Sequence, residues 1–152
     1  MKKRTQRIIV IVLQALLLLV LFFPVQLVPL ERAGNGLLNV FGMVQWYAGT
    51  PFYIIAFMST LVACILPLAL IFAAVRAEED QVYSIGMICS GLYTVLTIVF
   101  YCLARTQGMI NGLGVANLML ILVSVASFLL CMAWRKAVYV QTDEASLAKQ
   151  TI

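Results

Sequence analysis

The chain has 152 residues, of which 64% are apolar and only 11% charged. A soluble domain is roughly 45–50% apolar and about 25% charged, so this chain cannot clothe itself in polar surface, and a water-soluble fold is excluded. The net charge of +4, with no histidine, is explained by where the basic residues stand and not by a nucleic-acid partner; the partner this composition asks for is the lipid bilayer.

The first apolar run covers residues 8–30 and comes after Lys2, Lys3, Arg4 and Arg7. It is longer than the 7–15 residues of a signal-peptide core, and no small-x-small cleavage site succeeds it, so it is expected to be a retained first span. A helix needs about 20 apolar residues to cross the ~30 Å hydrocarbon layer. Runs at 52–75, 82–104 and 113–134 meet the same length. None alternates with the period of a barrel strand, so helices are the expected element throughout. Gln14 is the one deep polar side chain of the first span, and Leu16–Leu19 suit a helix at the lipid-facing periphery of the bundle.

Residues 31–51 form the longest loop, expected to be external. From Leu37 to Ala48 it is apolar but too short to span, as in a segment lying in the interface plane. Phe41, Gln45, Trp46 and Tyr47 are the candidate external interface there, because amphipathic rings settle at headgroup level. In the second span Ala56, Thr60, Ala63, Pro67 and Ala74 form a stripe of mostly small residues that lets helix backbones approach, and Pro67 is expected to kink its inner half. Arg76-Ala77-Glu78-Glu79-Asp80-Gln81 is then a charged hinge between two uncharged runs.

The third span has the most polar face: Gly86, Ser90, Thr94, Thr97 and Tyr101 recur at helical spacing. The fourth answers with Asn117, Ser124, Ser127 and Cys131. Two such faces are expected to pack together and exchange hydrogen bonds. The alternative is that Gln14, Ser90, Thr94, Thr97, Asn117, Ser124 and Ser127 line a polar cavity. The turn between these spans repeats the tripeptide Asn-Gly-Leu of the first external loop, at Asn111–Leu113 and Asn35–Leu37.

All six acids, Glu31, Glu78, Glu79, Asp80, Asp143 and Glu144, lie outside the four runs. Proton relays, coupled transport and intramembrane hydrolysis rely on an ionisable group at depth, which argues against an enzyme. No His/Cys/carboxylate cluster has metal-ligand spacing, and neither a metal nor another cofactor is expected. Cys64, Cys89, Cys102 and Cys131 lack the Cys-x-x-Cys spacing of a thiol oxidoreductase and differ in expected depth, so they are read as four buried free thiols.

Eight of the ten basic residues fall on the side of the termini and hinge; Arg32 and Arg105 fall on the other. The positive-inside rule then places both termini and the hinge in the cytoplasm. The expected fold is all-α: an integral membrane four-helix bundle of two antiparallel hairpins, N-in and C-in, in one domain with a cytoplasmic tail at 135–152. A first-span polar residue is a feature of small multidrug transporters, but theirs is a carboxylate, and the amide of Gln14 cannot exchange protons for drug. The long external loop, the charged hinge and the tail residues Lys136, Ala137, Gln141 and Glu144 resemble small bacterial four-span membrane proteins of unknown function. That resemblance implies the cytoplasmic membrane of a bacterium and no activity. The expected function is non-enzymatic, an accessory, scaffold or interaction subunit with a membrane-protein partner or a second copy of itself. The alternative is a passive small-molecule or lipid transporter or channel subunit using the polar faces of spans three and four.

Overall fold

The computed structural model describes residues 3–24, 26–30 and 34–150, with the backbone alone for 3, 26, 27, 29, 30, 34, 35, 79, 80 and 141–150. The order is α1 (Lys3–Val20), β1 (Gln26–Leu30), β2 (Gly34–Leu38), α2 (Val40–Trp46), α3 (Tyr53–Arg76), α4 (Glu79–Thr106), β3 (Gly112–Leu113) and α5 (Val115–Gln150). Glu31 and Arg32 of the loop at 31–51 lie outside the described residues, as do the side chains of Gln141 and Glu144.

Among the described residues three helices are long and apolar enough to cross a membrane: α3, the Gln81–Thr106 part of α4 and the Val115–Val140 part of α5. Their outer faces carry Ile54, Leu68, Phe72, Leu122 and Leu129, each at least half exposed. Water penalises so large an apolar surface; it is compatible with a membrane location.

The first run departs from expectation. Its helix ends at Val20 and not at Leu30. The amides of Phe22 and Phe23 bond back three residues, to the carbonyls of Leu19 and Val20, tightening the last turn. Pro24 then offers no N–H and drives the residue before it out of the α region. At 1.5 Å per residue, α1 is about 27 Å long, and its first turns are basic.

Among the described residues the expected all-α class holds for the bulk of the chain, which is built on five helices, but a small sheet, not foreseen in the sequence, joins them. After α1 the chain forms a three-stranded sheet in the order β2-β1-β3. β1 pairs antiparallel with β2, Val28 opposite Gly36, and with β3, Leu27 opposite Gly112. Each Asn-Gly-Leu tripeptide therefore puts its glycine beside β1, where no side chain obstructs the apolar central strand. Pro29 stands beyond the reach of β3, which pairs only with Gln26 and Leu27, so its missing N–H removes no bond from that side.

α2 sits on this sheet. Asn39 caps it, its Oδ1 accepting from Gly42 N at 2.7 Å while its Nδ2 donates to the Phe22 carbonyl at 3.3 Å. The helix end is thus tied to the end of α1. α4 closes at the same end of the bundle through Gly108, whose φ of 71° suits glycine. Gly108 N bonds to Arg105 O and Met109 N to Ala104 O, the paired bonds of a Schellman stop.

Three apolar layers hold these parts together. Val28, Met43, Tyr47, Ala56, Ala104, Met109 and Ile110 fill the cap. Leu17, Leu21, Val40, Ala63, Tyr93, Ala116 and Leu120 fill the middle. Val10, Leu70, Ala74, Val82, Tyr83 and Cys131 fill the end nearest the charged hinge. α1 is not a peripheral helix: Val10, Gln14, Leu17 and Leu21 form a buried stripe, spaced as one helical face. Leucine content alone could not distinguish that face from the exposed one at Val12, Leu16 and Leu19.

Candidate functional site

The candidate polar residues come from α1, α4 and α5, and most of them meet. Gln14, Ser90, Asn117, Ser124 and Ser127 are all at most 2% exposed. Gln14 Nε2 donates to Ser127 Oγ at 2.9 Å, and Ser90 Oγ donates to the same oxygen at 2.9 Å. One turn along, Thr94 Oγ1 and Ser124 Oγ stand 2.8 Å apart. Each of these two hydroxyls also reaches a carbonyl of its own helix, Ser90 O and Ile121 O, at 2.9 Å. Whichever donates across the interface, the other can donate to its carbonyl, so both protons are used. The small residues around this chain of bonds allow the approach. A Cβ on Gly86 would stand 2.5 Å from Cys131 Sγ, and one on Gly91 3.4 Å from Phe128.

Asn117 and Thr97 are not part of these bonds. They lie toward the cap, where a pocket of about 50 Å³ is bounded by α2, α3, α4 and α5. Ser59, Tyr93, Thr97 and Asn117 supply its polar lining, and Val40, Met43, Phe100 and Leu120 part of its apolar wall. Tyr93 Oη and Asn117 Nδ2 are buried with no hydrogen-bond partner among the described residues. Tyr93 is absent from the sequence-based candidates. It is legible in principle, three residues after Ser90 and four before Thr97 on the same face of α4, but its ring reads as core until its hydroxyl is placed.

The external candidates divide. Phe41, Gln45 and Trp46 are exposed on α2, and the Phe41 ring lies 5.4 Å from that of Phe22. Tyr47 does not belong with them. It is 7% exposed because it continues the buried stripe of Val40 and Met43 on α2, and its hydroxyl donates to the Met109 carbonyl. Burial pushes its phenol above the ordinary value.

All four cysteines are free. Cys131 is buried and Cys64 and Cys89 half-buried, but Cys102, expected to be buried, is exposed on the outer face of α4. Hydroxyls, amides and dispersed thiols at these positions can donate and accept hydrogen bonds; they hold no charge to move. No protein-family model, curated protein or solved structure matches this chain.

Proposed function

We propose that this chain is a four-span, non-enzymatic integral membrane protein that serves as an accessory or scaffold subunit of a membrane assembly. The observation that carries the reading is the closed bonding of Gln14, Ser90 and Ser127, and of Thr94 with Ser124. A permeation path needs such groups facing water. Here they face one another, which is how polar residues join helices in lipid.

α1 is the fourth span, its short apolar part completed by its basic first turns, whose long side chains reach toward the headgroups. Contacts at one end support a shared side for the N-terminus and the hinge: Arg7 Nη2 donates to the Ala77 carbonyl at 2.9 Å, and Tyr83 Oη to Gln6 Oε1 at 2.6 Å. The pairing of Ser90 with Ser127 and Thr94 with Ser124 runs in opposite directions along α4 and α5, which supports antiparallel spans. With the basic residues gathered at the hinge end, the positive-inside rule makes that end cytoplasmic. The cap of α2 and the sheet is then external, and Phe41 and Trp46 form its docking face.

The test is purification in a gentle detergent beside a Phe41→Ser/Trp46→Ser variant, with solute flux measured in proteoliposomes. A stoichiometric membrane partner that the variant loses is the expected result. A solitary chain that conducts a small solute would sink it in favour of the passive-transport reading, for which the pocket at Tyr93 and Asn117 is the natural path. Orientation is read separately, with a reporter active only outside the cytoplasm fused after Ile152; it is expected to stay silent.

A further inference from the structure

At the hinge end, α4 and α5 leave a groove of about 310 Å³ lined by Met87, Met132, Arg135, Lys136, Tyr139 and Val140. Two cations stand side by side on its rim, and no carboxylate lines it among the described residues. The Arg135 guanidinium is held in place: it lies 5.5 Å from the centre of the Tyr139 ring, Nη2 is 3.4 Å from Tyr139 Oη, and Nη1 is 3.9 Å from Met87 Sδ. Those partners are a π face, a phenol and a thioether, and none carries charge. Arg135 Nε is buried without a hydrogen-bond partner among the described residues.

We infer that this groove is a binding site for one anionic phospholipid of the surrounding bilayer. A positioned, half-buried guanidinium with no carboxylate beside it among the described residues favours an anion, and its planar fork matches two phosphate oxygens. Lys136 adds a second positive charge beside it. The occupant must also be largely apolar, because Met87, Met132 and Val140 line the groove beside the cations and α4 and α5 carry further exposed apolar side chains, such as Ile88 and Leu129. A free phosphate satisfies the first requirement alone; a phospholipid satisfies both. Arg135 lies five residues inside the Val140 end of the apolar stretch, about 7.5 Å along the helix, which on the membrane reading sets it near the boundary of headgroup and acyl chain. Basic pockets between spans at this depth recognise acidic headgroups.

The inference rests on the membrane reading, so resistance of the chain to alkaline extraction from membranes is measured first and reports on that reading alone. The purified full chain is then titrated in neutral detergent with phosphatidylglycerol, phosphatidylcholine or inorganic phosphate, and bound lipid is counted by native mass spectrometry. Phosphatidylglycerol is expected to bind on the order of ten-fold more tightly than phosphatidylcholine, with inorganic phosphate failing to displace it. Lys136→Gln, an exposed change that spares the packing, should erode the preference, and Arg135→Gln should remove it. Arg76→Gln removes the same charge from the same end outside the groove and should leave the preference intact. Equal binding of both lipids, displacement by phosphate, or an equal loss in Arg76→Gln would each overturn the site.

Discussion

Gln14 Nε2 donates to Ser127 Oγ at 2.9 Å across 113 residues of sequence, and Ser127 Oγ accepts a second bond from Ser90. One hydroxyl oxygen thus joins three helices. The two ends of the bond are unequal. Gln14→Leu leaves Ser127 still bonded to Ser90, so the loss is a single interhelical bond, about 0.6 kcal/mol in lipid. Ser127→Ala strands both donors in a dry interior, costing about 1–3 kcal/mol. Thermal unfolding in detergent should rank Ser127→Ala as the more damaging change; the reverse order would show that the oxygen is not the shared acceptor.

Gly86 predicts a second asymmetry. Its missing side chain is the space that Cys131 Sγ occupies, since a Cβ there would lie 2.5 Å from the sulfur. Gly86→Ala should cost about 1–3 kcal/mol by overpacking. Cys131→Ala removes the sulfur, and the double variant should recover part of the loss, giving a non-additive cycle. Leu19, more than half exposed, should accept isoleucine or phenylalanine at almost no cost. Strict additivity between positions 86 and 131 would contradict the contact.

The apolar runs are legible in the sequence, because twenty uncharged residues have few uses, and so are the polar stripes of α4 and α5, because a 3.6-residue period is local information. Residues 21–30 are not, because apolar composition does not say whether a run is helix or strand. Pro24 and Pro29 hold part of that information, but strand pairing depends on Leu113, over eighty residues away. Tyr47 eludes sequence reasoning for a related reason: it continues the stripe of Val40 and Met43, but that stripe is legible only once residues 40–46 are known to be a helix, and the Met109 carbonyl that its hydroxyl meets is distant in sequence. Gln14 stands out as the one polar group at depth, yet the leucines around it hide the fact that its face is the packed one.

The orphaned pair at the pocket supports a prediction whose sign is informative. Tyr93 Oη and Asn117 Nδ2 are buried with no hydrogen-bond partner among the described residues, and the pocket they share, about 50 Å³, exceeds what one water requires. With ordered water bonding both groups, Tyr93→Phe should lower stability by about 1 kcal/mol, and Asn117→Leu should lower it as well. If the pocket were dry, each substitution would relieve an unsatisfied polar group and raise the unfolding temperature. A stabilised Tyr93→Phe protein would therefore exclude bound water at this position.

Tyr47 ties the cap formed by α2 and the sheet to the turn after α4 through Met109 and gives the cap a pH dependence. Its phenol is pushed above the ordinary value of 10.0 by burial, so the neutral form is favoured in the folded protein. In the unfolded chain the phenol ionises near that ordinary value. Below it the contribution to stability is fully present; as the pH rises past it, the unfolded state loses its proton first and the contribution is lost. The cap should therefore loosen at alkaline pH, releasing the hydroxyl bond to Met109 and exposing Met43 and Val28, which pack in the same layer. Tyr47→Phe removes the titrating group. It should lower stability at neutral pH by about 1 kcal/mol, the worth of the lost bond, and flatten the alkaline fall. The measurement is amide hydrogen exchange of residues 26–47, tracked through the pH range around 10 after correction for intrinsic exchange. An alkaline loosening of equal size in Tyr47→Phe would assign the titration to another group.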